Sequence, residues 1–174
     1  MSDLAALALR IERLEAESAC RKCLSDYMEL CDRLDETTDL EALGALFTRD
    51  AVWGGAGDRY AKDFGAHQGR AAIVGWLATF CTPPHFAMNA HFLSSEALHH
   101  TDEGVTGRWI MAQTPTFHDG QSFLMAARLE IDFRQEEGAW RMHRFSTRNL
   151  YARPVSDWTA PMQIPAPRPV AVGQ

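Results

Sequence analysis

The fold is decided by the stretch Leu43-Gly44-Ala45-Leu46-Phe47-Thr48-Arg49-Asp50-Ala51-Val52-Trp53. Its first residues belong to a short helix that Asp39 can cap and that is predicted to run through Phe47. Its last residues, 51–53, are predicted to form a short strand. The stretch therefore marks a direct passage from helix to strand in the first third of the chain.

Helices are predicted on both sides of this stretch. Upstream, apolar residues recur at three- and four-residue steps over residues 4–34, which is the period of one long helix or of two joined ones. Downstream, the Gly-rich residues 54–68 predict a loop. Gly69 then precedes a helix over residues 70–80, which Pro83 and Pro84 bring to an end.

The second half of the chain has the pattern of strands. Apolar and polar residues alternate over residues 91–99, 107–117, 122–134 and 139–150. The turns His118-Asp119-Gly120 and Glu136-Glu137-Gly138 predict antiparallel hairpins between the last three strands. Helices followed by a meander predict an α+β domain in which an antiparallel sheet packs on N-terminal helices. We expect one domain over residues 1–153 and a Pro-rich tail over residues 154–174, without regular structure other than polyproline II.

Composition excludes several classes of function. The chain has 174 residues, of which 46% are hydrophobic, and its formal net charge of -6 comes with scattered Lys and Arg, which argues against a nucleic-acid partner. No apolar run is long enough for a membrane span, and the N-terminus lacks the basic start of a signal peptide. Cys20 and Cys23 form a CxxC inside a helical pattern, with no second pair at zinc-finger spacing. We therefore expect a cytoplasmic, metal-free protein with reduced thiols and no membrane partner.

The order of these elements resembles the SnoaL-like branch of the nuclear-transport-factor-2-like superfamily. Besides the stretch quoted above, the resemblance rests on Gly69-Arg70-Ala71-Ala72-Ile73, Asn89-Ala90-His91-Phe92, Gly107-Arg108-Trp109 and Gly138-Ala139-Trp140-Arg141. It implies a cone in which a strongly curved sheet wraps around a pocket and the helices form the other wall. Within the superfamily, the motifs are most similar to those of bile-acid dehydratase and scytalone dehydratase.

The dehydratase resemblance implies three catalytic residues. The bile-acid dehydratase pattern of Tyr, four residues and Asp matches Tyr27 and Asp32, and the pocket His of both dehydratases matches His91. Ketosteroid isomerase, another branch, needs an Asp just after the first strand, where this chain has glycines. The pocket carboxylate of bile-acid dehydratases falls at Gln113, which can form hydrogen bonds but cannot titrate.

Each catalytic candidate also has a purely structural interpretation. A half-buried His91 can be a structural histidine, and Tyr27 can be a core tyrosine whose hydroxyl bonds to backbone. On an ideal helix, a step of five residues places Asp32 about 140° from Tyr27, whereas Asp35 is only about 80° away. Asp35 is therefore the geometric rival, and the choice of Asp32 rests on the resemblance.

Six further residues are candidates for binding the substrate. Four are aromatic, and two are amides that can orient a ligand: Trp53, Tyr60, Phe86 and Trp109, with Asn89 and Gln113. Strict alternation along its strand places Arg128 on the outer face unless a bulge intervenes. The remaining histidines lie in loops or beside charges, without a spacing that predicts a metal site: His67, His85, His99, His100, His118 and His143.

The function that these residues predict is a cofactor-independent lyase. The leading hypothesis is a dehydratase that uses acid–base catalysis on a small, hydrophobic, hydroxylated alicyclic or aromatic substrate. The alternatives are a retro-aldol lyase that releases an aldehyde, an isomerase, and a non-catalytic ligand-binding or accessory subunit. Because the resemblance includes many dimers and trimers, we expect a homodimer or homotrimer whose tail contributes to the interface.

Overall fold

The computed structural model describes residues 3–156 and has the predicted α+β architecture. Helices and strands follow one another in this order: α1 (Asp3–Arg33), α2 (Leu40–Ala45), β1 (Phe47–Ala56), α3 (Gly57–Phe64), β2 (Ala66–Gln68), α4 (Arg70–Ala78), β3 (Phe86–Met88), β4 (His91–Thr101), β5 (Gly104–Gln113), β6 (Thr116–Phe117), β7 (Ser122–Glu136) and β8 (Ala139–Val155). None of the helices in this part of the chain has the length and apolar character needed to cross a membrane.

The sheet has the strand order β2-β1-β8-β7-β5-β4, and β6 joins β3 to β7. Its neighbours are antiparallel except for β1 and β8, which run parallel. Register shifts between Ser94 and Ala97 and between Ala126 and Ala127 interrupt the ladders. Such bulges bend strands, so they contribute to the curvature that encloses the site. The prediction of a curved sheet packed on N-terminal helices is confirmed.

The predicted hairpin turns and the predicted cap of α2 are also present. Gly120 and Gly138 adopt φ values of 83° and 79°, as the two hairpin turns require. The Asp39 side chain accepts a hydrogen bond from the Ala42 backbone N–H at 2.9 Å and so caps α2. Helix α2 ends at Ala45, two residues earlier than predicted, because Phe47 already pairs with Met142 as the first residue of β1.

Helix α1 packs on the sheet through its second half only. Its buried side chains begin at Ala16 and face the sheet: Ala16, Cys20, Cys23, Leu24, Tyr27, Met28 and Cys31. The apolar residues of the first half remain exposed, although they too recur at three- and four-residue steps. The apolar pattern changes phase between Leu14 and Ala16, which are two residues apart, so the two halves of the helix present their apolar side chains to different surfaces.

The prediction of a loop over residues 54–68 is wrong. This segment contains α3 and β2, and β2 pairs with β1 through Trp53 and His67. Tyr60 and Phe64 lie four residues apart on α3, and their rings pack with centroids 4.6 Å apart. Gly57 and Gly65, with φ values of 72° and 64°, bound the helix instead of breaking it.

The predicted start of the unstructured tail is also wrong. Strand β8 continues through Pro154 and Val155, which pair with Phe123 and Ser122 of β7. Proline is tolerated there because the pairing of β8 with β1 ends at Arg148, so β8 has a neighbour on one side only. The rest of the tail and its proposed part in an interface lie outside the described residues.

Two glycines give opposite predictions for stability. A Cβ atom at Gly55 would lie 2.0 Å from the Tyr60 carbonyl oxygen, whereas nothing lies within 4 Å of a Cβ atom at Gly75 in α4. We expect Gly55→Ala to lower the free energy of unfolding by about 1–3 kcal/mol, because the backbone of α3 must move. Gly75→Ala should raise it by about 0.4–1 kcal/mol through helix propensity. Urea unfolding of both variants measures the difference, and equal effects would contradict the close approach at Gly55.

Candidate functional site

The site is a partly open cavity of about 160 Å³ between the helices and the curved sheet. Its wall is mainly aromatic and aliphatic, and the polar side chains in it are few: Tyr27, Met28, Cys31, Leu34, Tyr60, Phe64, Trp76, Leu77, Phe80, His85, Phe86, His91, Met111, Gln113, Phe117, Met125, Leu129, Phe145 and Thr147. None of these described lining residues is Lys, Arg, Asp or Glu. The wall therefore suits a neutral, apolar ligand.

His91 and Asp32 form the central polar pair. His91 is the first residue of β4, and Asp32 lies in the last turn of α1. The Nδ1 atom of His91 is 2.7 Å from Asp32 Oδ1, and the two side chains are 9% and 30% exposed. Because a carboxylate only accepts, Nδ1 carries the proton in this bond, which leaves Nε2 of a neutral ring with a free lone pair. Within residues 3–156, Nε2 has no protein partner.

Asp32 is held by two further donors. The Asn89 side-chain amide donates to Oδ1 at 3.2 Å, and the backbone N–H of His91 approaches Oδ2 at 3.4 Å. The carboxylate does not line the cavity but lies behind the imidazole. This explains how Asp32 can serve the site although the helix turns it away from Tyr27. Asp35 instead accepts hydrogen bonds from the Thr37 backbone and hydroxyl, which lower its pKa.

Gln113 extends this network from the neighbouring strand. It is the cross-strand partner of His91 in the register of β4 and β5, and its side chain lines the cavity. The Nε2 atom of Gln113 donates to Asn89 Oδ1 at 3.0 Å, while Asn89 donates to Asp32. A carboxylate at position 113 has no hydrogen to donate, so it would place a second acceptor against the Asn89 oxygen. The network therefore gives a physical reason for an amide at this position.

Tyr27 lies deep in the cavity wall, with only 4% of its surface exposed. Its hydroxyl oxygen accepts a hydrogen bond from Trp53 Nε1 at 3.0 Å, and its own hydrogen is donated toward the sulfur of Cys31. Burial raises the pKa of the phenol well above its usual value, and the nearby Cys31 adds to the shift. Tyr27 is thus a neutral hydrogen-bond donor at physiological pH.

Cys31 also lines the cavity but has the properties of a buried structural thiol. Burial raises its pKa to about 12. The thiolate is the nucleophilic form of cysteine, and almost none is present near neutral pH at this pKa. All four cysteines of the chain are free and buried. Across the described residues, no group of three or more His, Cys, Asp or Glu side chains is placed to hold a metal ion.

The six candidate substrate-binding residues divide into two groups. Tyr60, Phe86 and Gln113 line the cavity, whereas Trp53, Asn89 and Trp109 do not. Trp53 lies behind Tyr27 and stacks on Phe145 with centroids 5.5 Å apart. Asn89 is turned toward Asp32.

Trp109 faces the same side of β5 as Gln113 but lies nearer the start of the strand. Its ring packs on Phe133, and its Nε1 donates to Glu96, which Arg21 of α1 also holds. Trp53, Asn89 and Trp109 therefore lie outside the cavity lining and support residues that are part of it or close to it. Arg128 is exposed on the outer face, as predicted.

His85 is the cavity residue that the sequence pattern did not single out. Its ring lies among those of Phe80, Phe86 and Phe117, with centroid distances of 5.0, 4.6 and 5.0 Å. The residue lines the cavity and is exposed in part, yet the burial of its ring lowers the pKa of the imidazole. The signal that could have identified it is its position directly before Phe86, itself a predicted pocket residue.

Comparisons with known proteins agree on the fold. A dehydrochlorinase for hexachlorocyclohexane, LinA-type3 from Novosphingobium barchaimii LL02, is 18% identical and superposes with a TM-score of 0.70, covering 90% of this chain and 99% of its own. A scytalone dehydratase-like protein from Novosphingobium aromaticivorans is 18% identical, with a TM-score of 0.67 and coverage of 93% and 97%. An NTF2-like protein with a cystatin-like fold from the same species is 26% identical, with a TM-score of 0.62 and coverage of 86% and 92%.

At the sequence level, a search of curated proteins finds no significant match. The family profile described as "SnoaL-like domain" matches residues 12–146. This range covers most of the chain and includes α1 from its third turn, the cavity and every strand up to the middle of β8. The resemblance inferred from the motifs is thus confirmed, and this chain belongs to the SnoaL-like domain family.

Proposed function

We propose that the protein is a lyase, namely a dehydratase that removes water from a small, neutral, cyclic alcohol by acid–base catalysis. The observation that carries the proposal is the 2.7 Å hydrogen bond between His91 Nδ1 and Asp32 Oδ1, with the His91 side chain in the wall of an apolar cavity. A neutral imidazole held by a carboxylate is suited to accept a proton and to return it.

The size and polarity of the cavity define the substrate class. A cavity of about 150 Å³ lined by apolar side chains is known to bind benzene. The cavity here is about 160 Å³, so it fits one six-membered ring with small substituents better than a polycyclic molecule. Because the described wall carries no cationic side chain, a substrate with a carboxylate or phosphate group would lose its hydration without gaining an ion pair.

Each step of the elimination has a residue to perform it. His91 Nε2 takes a proton from the carbon next to a carbonyl or equivalent acceptor, and Asp32 stabilises the imidazolium that forms. Tyr27 donates its hydroxyl hydrogen to the acceptor oxygen, on which negative charge develops. As the carbon–oxygen bond at the neighbouring carbon breaks, the proton on Nε2 transfers to the departing hydroxyl. The products are water and a carbon–carbon double bond, and His91 is neutral again.

Dehydrochlorination is the second candidate. It is favoured by the shared fold of the hexachlorocyclohexane dehydrochlorinase, which superposes over 90% of this chain. Removal of hydrogen chloride needs the same base but no acid for the leaving group, since chloride departs unprotonated. The two reactions therefore differ in whether His91 must return its proton to the leaving group. A panel of hydroxylated and chlorinated substrates distinguishes them by which substrates are turned over.

The role of His91 can be tested with single-ring substrates whose products absorb ultraviolet light. We expect β-hydroxycyclohexanones to be converted to conjugated enones, and His91→Ala to lower kcat by about 10²–10⁴, the scale of general acid–base catalysis. The matched control is His99→Ala, an exposed histidine on the same strand, which should keep wild-type activity. Activity of His91→Ala within a few-fold of wild type would reject the mechanism.

The same assay on hexachlorocyclohexane separates the two candidate reactions. Turnover of the chlorinated ring alone would replace the dehydratase proposal with dehydrochlorination. A ring that binds in the cavity without turnover of either substrate class would instead support a binding protein.

Tyr27→Phe tests the donor role of the phenol. We expect kcat to fall by about 10² with little change in KM, because the hydrogen bond strengthens only as charge develops on the oxygen. Steady-state kinetics on the wild-type substrate supply both constants. An unchanged kcat, with a lower free energy of unfolding, would assign Tyr27 to the core alone.

Gln113→Glu tests the amide network with an isosteric change. We expect kcat to fall by about tenfold or more, because Asn89 must turn its amide donor toward the new carboxylate and so releases Asp32. Asn89→Ala should produce a similar loss. If the two residues act through one network, the double variant should lose little more than either single variant. If the double variant loses as much kcat as the two single losses combined, the shared network is disproved. A Gln113→Glu enzyme faster than wild type would disprove the need for an amide.

A further inference from the structure

The first half of α1 carries an exposed apolar stripe. Leu4, Leu7, Ile11 and Leu14 are 77%, 50%, 47% and 62% exposed, whereas the buried side chains of the helix begin at Ala16. A row of large apolar side chains in water points to a partner. We propose that these four residues, here named the seam, join two copies of this chain in a parallel coiled-coil dimer.

The spacing of the seam is that of a coiled coil. Its steps of three, four and three residues place Leu4 and Ile11 at the a positions and Leu7 and Leu14 at the d positions of two heptads. An Ile at the central a position between Leu residues at d favours two strands over three or four. Two heptads are short for an isolated coiled coil, but this helix is already formed, because its second half packs on the sheet.

Charged residues beside the seam select the parallel orientation. In a parallel pair, Arg10 at the g position of one heptad lies next to Glu15 at the e position of the next heptad in the second copy. Because the contact occurs once from each chain, it gives two ion pairs. In the antiparallel pair with the same core, Arg10 would face Arg10 of the second copy, and Asp3 would face Glu17 of the second copy. Both are contacts between like charges. Arg10 and Glu15 are exposed, and neither has an ion-pair partner within residues 3–156.

The direction of the seam allows two whole domains to approach. At 100° per residue, the mean direction of the four seam residues lies roughly 160° from that of the buried residues of α1. The seam therefore points away from the sheet that packs on the same helix. Two copies can meet along their seams with their sheets on the outside, so the bodies of the domains do not collide and the cavities remain accessible.

Analytical ultracentrifugation of the full chain tests the dimer. We expect a mass twice the 19.5 kDa of one chain. Replacing Leu7 and Ile11 together by Glu should raise the dimer Kd by about 10²-fold or more, since charges would enter the core of the coiled coil. Leu9→Glu is the matched control: Leu9 is 41% exposed on the same helical segment but lies off the seam, and its Kd should not change. Circular dichroism checks that each variant is folded.

Charge reversal tests the orientation independently. Arg10→Glu and Glu15→Arg should each weaken the dimer, and combining them should restore it, because the ion pair is re-formed with reversed signs. Single variants with unchanged Kd, or a double variant that is weaker than both, overturn the parallel arrangement. The proposed seam is rejected if the full-length protein is a monomer or a trimer. It is also rejected if the mass of the Leu7 and Ile11 variant is unchanged, or if Leu9→Glu weakens the dimer equally. An unchanged mass would show that residues 157–174 or the sheet form the interface instead.

Discussion

The site depends on one hydrogen bond, between Asp32 Oδ1 and His91 Nδ1. It joins the last turn of α1 to the first residue of β4, which are 59 residues apart in sequence. Because Asn89 and the His91 backbone also donate to the carboxylate, its position is fixed before any ligand binds. The carboxylate in turn fixes the tautomer and the orientation of the imidazole. In the proposed reaction, a base that is already oriented needs little reorganisation, so the contact between helix and sheet would itself lower the barrier.

The apolar wall determines what the polar groups inside it can do. Burial raises the pKa of Tyr27 and of Cys31, which keeps both groups protonated, and it lowers the pKa of His85, which favours a neutral ring. Gln113 has no charge at any pH. These four side chains therefore contribute uncharged groups to the wall, and in the proposed reaction charge develops on His91 and on an oxygen of the substrate. In surroundings of low dielectric constant, the hydrogen bond from Tyr27 and the charge of Asp32 then act strongly on that charge pair.

The fold could be predicted from periodicity and turns, because helices, strands and hairpin glycines are local features. Helix α3 was missed because Gly57 and Gly65 suggest a loop, whereas the helical signal was the four-residue step from Tyr60 to Phe64. The site was harder to predict, since its geometry depends on contacts between distant segments. Helix angles alone favour Asp35 over Asp32, and only the structure shows that the carboxylate lies behind His91. Likewise, the aromatic character of Trp53 and Trp109 says nothing about their depth in the cone, and the rings around His85 come from α4, β3 and β6.

Helix α1 connects the two surfaces on which the functional proposals rest. Its 31 residues correspond to about 46 Å of helix, and only the second half gains stability from packing on the sheet. The first half is rich in Ala, Leu, Arg and Glu, the residues of highest helix propensity, so it can extend from the packed half as a continuous helix. Between Leu14 and Ala16 the apolar side of the helix changes from the face that points outward to the face that meets the sheet. The hydrophobic pattern of the sequence thus breaks phase between these two residues, and the exposed fraction of each side chain is the observation that separates an interface from a core.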